Sequence, residues 1–259
     1  MQALNRIKAA RPSLFWFATE AGRAVTELGI NYSYRLLHST ESEGDGHPVV
    51  VLPGFMAGAQ STQLLRNHLK KHNYYVYDWG LGRNYGKVTY MEKLVKRVES
   101  IHQEHGEPVS LIGWSLGGVF AREIAKERPD LVRQVITMGS PFQGVKESNY
   151  LSWLHDLLFS GRSIDEEQAA YLHQLPIPAS VPTTAIYSKE DGVVPWEMCM
   201  EQVETDIHQN IQVRGSHLGF GVNPAVYTII TDRLRLHKDN WEHFQPSGSL
   251  ENLLFFPSL

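Results

Sequence analysis

The chain has 259 residues, 42% hydrophobic and 20% charged, with a formal net charge of −4. Such values describe a globular chain long enough for one large domain and exclude disorder, and the mild acidity gives no electrostatic basis for binding nucleic acid. Cys199 is the only cysteine, which excludes an intrachain disulfide framework and a cysteine-based zinc cluster and points to a reducing, cytoplasmic setting.

Residues 1–45 read as a helical N-terminal segment. Leu14, Phe17, Ala21, Val25 and Leu28 recur at helical spacing over residues 13–37, and this stripe is expected to pack on the main domain. The competing expectation is a membrane-surface anchor, with Phe15 and Trp16 beside Arg6, Lys8 and Arg11 at a bilayer interface. A secretory signal is not expected, because Glu20 arrives too soon after the apolar patch. Nor is a spanning helix: the longest uncharged stretch, residues 168–188, contains Pro176, Pro178 and Pro182.

Strand and helix patterns alternate from residue 46 onward. Pro48 to Leu52 is a β-branched run of the kind buried on both faces of a sheet. A helix over residues 61–72 follows, then a strand from Tyr74 to Trp79 and a glycine-rich loop, Gly80 to Gly86. Met91, Leu94, Val95, Val98 and Ile101 give residues 89–105 the 3.6-residue period of an amphipathic helix. Val109 to Ile112 forms the next strand, Leu116 to Arg128 the next helix, and Gln134 to Met138, Thr183 to Tyr187 and Asn210 to Val213 three further strands. A last helix runs from Ala225 to His237, and residues 241–259 form a tail. This alternation implies a mostly parallel sheet flanked by helices, with the core in residues 46–144 and 183–240. The intervening 145–182 is too long for a plain connection and reads as an inserted cap or lid, apolar through Trp153, Leu154 and Leu157.

The strongest motif is Gly113-Trp114-Ser115-Leu116-Gly117-Gly118, placed where an apolar strand ends and a helix begins. A nucleophile elbow requires that placement, and flanking glycines relieve its crowding. A serine hydroxyl needs a base, and His217, in a glycine-framed loop directly after the last strand, is the histidine best placed to act as one. Asp191, followed by Gly192 in a tight turn after the strand Thr183 to Tyr187, is the expected carboxylate, with Glu190 its rival. The oxyanion donors expected are the backbone N–H groups of Leu116 and Phe55, with Met56 the alternative to Phe55. His68 and His72, four residues apart, lack a third ligand and read as solvated surface groups. Gly80 to Gly86 misses the dinucleotide fingerprint by one residue, so no cofactor and no metal are expected.

Together these segments resemble the α/β-hydrolase superfamily on its lipase and esterase side, over about residues 46–237. Pro53-Gly54-Phe55 stands where the family carries its His-Gly oxyanion motif, a departure that removes a side chain and spares the backbone donor. The resemblance implies ester hydrolysis through a covalent acyl-enzyme and a lid in the 145–182 insertion. The substrate-binding surface is expected to include Met56, Trp114, Trp153, Leu154 and Leu157 and to take a small-molecule or lipid ester. A thioesterase, peptidase or acyltransferase would use the same triad, and a silent binding protein would use the same fold.

Overall fold

The computed structural model describes residues 11–37, 44–143, 174–237, 239–246 and 257. The expected cap residues Trp153, Leu154 and Leu157 and most of the C-terminal tail lie outside the described residues.

Six strands form one sheet: β1 (Pro48–Leu52), β2 (Tyr75–Asp78), β3 (Val109–Trp114), β4 (Val132–Met138), β5 (Thr183–Tyr187) and β6 (His208–Gln212). Their order is β2-β1-β3-β4-β5-β6, and all five pairings are parallel. Alternation along the strands splits the core into two layers. Val50, Leu52, Leu111 and Val135 face α3 (Tyr90–His105) and α4 (Leu116–Glu127), meeting Leu94, Val98, Phe120 and Ile124. Val49, Val51, Ile112 and Ile136 face α2 (Gln63–Lys71) and α5 (Pro224–Arg235), meeting Leu65, Leu69, Val226 and Ile230. Burying one such side chain contributes about 1.5–3 kcal/mol, so a charge at Leu94 or Ile230 would break a layer.

This strand order fixes the place of the site. From β1 the chain crosses to β2 on one side, and β3 then returns to pair on the other side of β1. The loops leaving β1 and β3 therefore diverge, which opens a crevice at the carboxyl ends of these two strands.

Several boundaries move for physical reasons. Residues 59–62 form a 3-10 turn before α2. β6 begins at His208 because its polar first residues are satisfied: His208 Nε2 lies 2.9 Å from the Ala179 carbonyl, and Gln209 brackets the Phe244 backbone from both sides. Phe244 is itself buried, so the first residues of the tail dock on the α2/α5 layer. Leu175, Ala179 and Val181 are buried in the α3/α4 layer, so the end of the segment read as a cap belongs to the core. His72 is buried, its Nδ1 2.9 Å from the His68 carbonyl, and the half-buried His68 joins α2 to α5 by packing on Tyr227, so neither is a free surface group.

The largest correction concerns the N-terminal helix, α1 (Leu14–Leu37). Its apolar stripe does not pack on the domain: Leu14, Phe17 and Val25 are 85%, 62% and 70% exposed. The inward face carries Trp16, Glu20, Arg23, Glu27 and Asn31, and the helix is held by its polar side because that side meets backbone N–H groups that need acceptors. No helix among the described residues is long and apolar enough to cross a membrane.

Candidate active site

Ser115 occupies the turn between β3 and α4 with φ 53° and ψ −123°, a backbone region that costs a residue with a Cβ free energy. The turn is held by its own hydrogen bonds: the Ser115 N–H donates to the Met138 carbonyl at 2.8 Å, and the Ser115 carbonyl accepts from Gly118 at 3.0 Å. Gly117 is required here by close approach, since a Cβ would overlap the Leu52 and Pro53 carbonyls. The elbow thus points the serine side chain into the crevice above β1 and β3.

Asp191 and His217 come together as the sequence predicts. Asp191 Oδ2 lies 2.6 Å from His217 Nδ1, while Oδ1 accepts from the N–H groups of Val193 and Val194 at 2.8 and 2.7 Å. That double acceptance fixes the carboxylate, and the carboxylate makes Nδ1 the donor, which leaves Nε2 as the basic nitrogen. Burial pushes the His217 imidazole toward neutrality, but the Asp191 carboxylate, helped by Glu20, outweighs it and raises the pKa above the ordinary histidine value. Glu190 is half-buried, its backbone N–H donates to Ser188 Oγ at 3.1 Å, and it makes no hydrogen bond or ion pair with His217 among the described residues. Nor does a hydrogen bond join Ser115 to His217; such bonds commonly tighten only around substrate. Gly192 does not take a positive φ, so the turn is not what requires it: a Cβ there would overlap the Trp16–Phe17 peptide of α1.

The loop after β1 separates the two candidate oxyanion amides. The Met56 N–H is committed to the Asn84 carbonyl at 2.7 Å. The Phe55 N–H, like that of Leu116, donates to nothing among the described residues. Asn84 is fully buried and does more: its Nδ2 donates to the Pro53 carbonyl at 2.9 Å, and its own N–H donates to Ala57 at 2.8 Å. The glycine-rich loop 80–86, read from the sequence only as a failed nucleotide motif, therefore braces the segment after β1 that carries the candidate oxyanion amides.

The Trp114 indole N–H donates to the His217 carbonyl at 3.1 Å and so ties the serine turn to the histidine loop. Phe55 and Met56 are partly exposed beside the serine, with Met56 at φ 59°. Sequence reasoning missed Asn84, Glu20 and Glu27. The two glutamates were legible as a polar stripe of the same helical period as the apolar one, but polarity alone gave no reason to turn that stripe inward. No cluster of three or more His, Cys, Asp or Glu among the described residues is arranged to hold a metal ion.

The family model for palmitoyl protein thioesterase matches residues 48–190, more than half of the chain. A pimeloyl-(acyl-carrier protein) methyl ester esterase from Vibrio campbellii is 29% identical over 152 residues, covering 54% of this chain and 58% of that protein. The same-named esterase from Klebsiella pneumoniae strain 342 is 32% identical over 106 residues, covering 39% of each. The chain thus spans 58% and 39% of the length of these curated relatives. Among solved structures, one reported with two metagenome-derived lipolytic enzymes superposes with a TM-score of 0.55 at 17% identity, over 73% of this chain and 92% of that one. A monoacylglycerol lipase from Paleococcus ferrophilus gives 0.52 at 18%, over 73% and 96%. At these identities the likeness is one of fold, and the fold is that of the α/β-hydrolases. On the match to its core, the chain belongs to the palmitoyl protein thioesterase family.

Proposed function

We propose that the protein is a serine ester hydrolase working through a covalent acyl-enzyme, with Ser115 as nucleophile, His217 as general base and acid, and Asp191 as the partner of His217. One observation carries this reading: the Asp191–His217 contact of 2.6 Å, on a histidine loop that the Trp114 indole ties to the Ser115 turn, strained at φ 53°. Ser115 Oγ attacks the acyl carbonyl and its proton passes to His217 Nε2. The tetrahedral oxyanion accepts from the Phe55 and Leu116 N–H groups. Collapse expels the alcohol or thiol, which takes the proton from His217, and water then releases the acid by the same steps.

The family and the curated relatives support acyl thioesters and acyl esters as the substrate class. The apolar composition around Trp153, Leu154 and Leu157 supports a long acyl chain over acetate. Turnover of p-nitrophenyl esters and of acyl thioesters, each from two to sixteen carbons, tests this. The reading expects both series to be hydrolysed with kcat/KM rising with chain length; inactivity on every member would contradict it.

The same reading puts the enzyme in the cytoplasm, in peripheral contact with a membrane. The lone, buried Cys199 and the outward Leu14, Phe17, Val25 and Leu28 of α1 support it. Sedimentation with lipid vesicles should fall when Phe17 and Val25 are both changed to Ser, and equal sedimentation would contradict the contact.

A further inference from the structure

Three backbone N–H groups from the two loops that hold Asp191 and His217 end on one carboxylate from outside the sheet. Glu20, on the inward face of α1, is 4% exposed. Its Oε1 accepts from Gly192 at 2.8 Å and from His217 at 3.1 Å, and its Oε2 accepts from Leu218 at 2.9 Å. Gly192 directly follows Asp191, so a single side chain bridges the acid loop and the histidine loop. Arg23, one turn along, places Nη2 2.9 Å from Oε1 and balances the buried charge. Two turns along, Glu27 Oε1 accepts from the Ser216 N–H at 2.8 Å.

The local sequence permits this approach only because it is bare of side chains where α1 lands. A Cβ on Gly192 would overlap the α1 backbone, and one on Gly219 would overlap the Glu27 carboxylate. The loop from residue 214 to 219 leaves β6 and has no strand ladder to hold it. Asp191 orients the imidazole from the side-chain end; Glu20 holds the backbone from which that imidazole hangs. Carboxylate oxygens only accept, and charge-assisted bonds to amides are stronger than neutral ones, so the residue type matters as well as its place.

We infer that Glu20 is a positioning residue of the hydrolase site, whose carboxylate locks the Asp191 loop to the His217 loop and so sets the geometry of the acid–imidazole pair. This rests on the proposed hydrolase reading. Around Glu20 lie Arg23 and Glu27 on α1 itself and Asp191 and His217 on the two loops, and Glu190 and Arg214 line the same cleft as Arg23 and Glu27. The negative charge of Glu20 adds to that of Asp191 in favouring the imidazolium.

The test compares wild type with Glu20→Gln and Glu20→Ala. Glutamine is nearly isosteric, but both oxygens of Glu20 accept, so either amide orientation sets an NH2 against a backbone N–H. Thermal unfolding checks the fold, kinetics on p-nitrophenyl butyrate give kcat and KM, and NMR titration of the His217 ring gives its pKa without reference to activity. In Glu20→Gln we expect kcat to fall at least tenfold with KM within threefold, and the His217 pKa to drop. An unchanged His217 titration overturns the inference, whether kcat is retained or falls together with Tm. If Glu20→Ala fails to fold, Glu20→Gln decides alone. An inactive wild type would contradict the hydrolase reading, and the His217 titration would still decide the role of Glu20.

Discussion

The Asn84 carbonyl accepts the Met56 N–H at 2.7 Å, and that bond leaves the neighbouring Phe55 N–H as the proposed oxyanion donor of this loop. Asn84 also grips Pro53 through its side chain, so the segment that would stabilise the transition state is braced by a buried residue about thirty positions away. Asn84→Ala removes the side-chain brace and frees the loop. Losing a preorganised oxyanion donor costs about 10²–10³ in kcat, and displacing one by about 1 Å costs up to about 10². A fall in kcat of roughly tenfold to a hundredfold is expected, with KM little changed. Steady-state kinetics on one p-nitrophenyl ester check it, and a kcat within twofold of wild type would refute the bracing role.

The pH profile follows from His217. A general base must be neutral, and Asp191 with Glu20 holds this imidazole protonated above the ordinary pKa of about 6.5 despite its burial. The acid limb of kcat/KM is therefore expected to turn above pH 6.5, higher than an unperturbed histidine would give. A limb turning below that value would show that burial outweighs the carboxylates.

Asp191 and Glu190 differ in contact. The first lies on His217 Nδ1 at 2.6 Å; the second makes no hydrogen bond to His217 among the described residues. Asp191→Asn should lower kcat at least a hundredfold, since loss of the acid in a related triad costs about 10⁴, whereas Glu190→Gln should cost less than about threefold. The reverse order in parallel kinetics would mean that the carboxylate assignment is off by one residue.

Legibility divides along physical lines. Continuous β-branched runs such as Pro48 to Leu52 and the period of Leu94, Val95, Val98 and Ile101 come from burial, and burial writes itself into hydrophobic pattern. The elbow was legible because a strained turn needs glycines at fixed offsets around Ser115. The orientation of α1 was not, because the pattern contains two stripes of one period, and choosing between them depends on N–H groups of loops nearly two hundred residues away. Asn84 was invisible for the same reason: its partners Pro53, Met56 and Ala57 are fixed by tertiary approach.

A second Asp–His–Ser chain lies at the other end of the sheet. His47 Nδ1 is 2.5 Å from Asp45 Oδ1, and its Nε2 is 2.8 Å from Ser110 Oγ. Ser110 is fully buried, so this chain joins β1 to β3 and has no access for substrate. Burial first, and then Arg133, push the His47 pKa down to about 4, against the upward pull of Asp45 and Glu107. The unfolded chain binds that proton near pH 6.5, so the stability from neutral His47 is full above pH 6.5 and is lost as pH falls through about 4, a difference of about 3 kcal/mol. His217 runs the opposite way: its contribution is present below pH 6.5 and is lost as pH rises through its raised folded value. Urea midpoints at pH 7 and 4.5 should therefore differ less in His47→Gln than in wild type. An equal difference would remove His47 as the cause.

The proposed chemistry requires Ser115 to be an activated nucleophile. Intact-mass analysis after exposure to a fluorophosphonate, followed by peptide mapping, tests it most directly. One adduct per chain is expected, on Ser115, and none on Ser115→Ala. An unlabelled wild type, or an adduct on another residue, would contradict it.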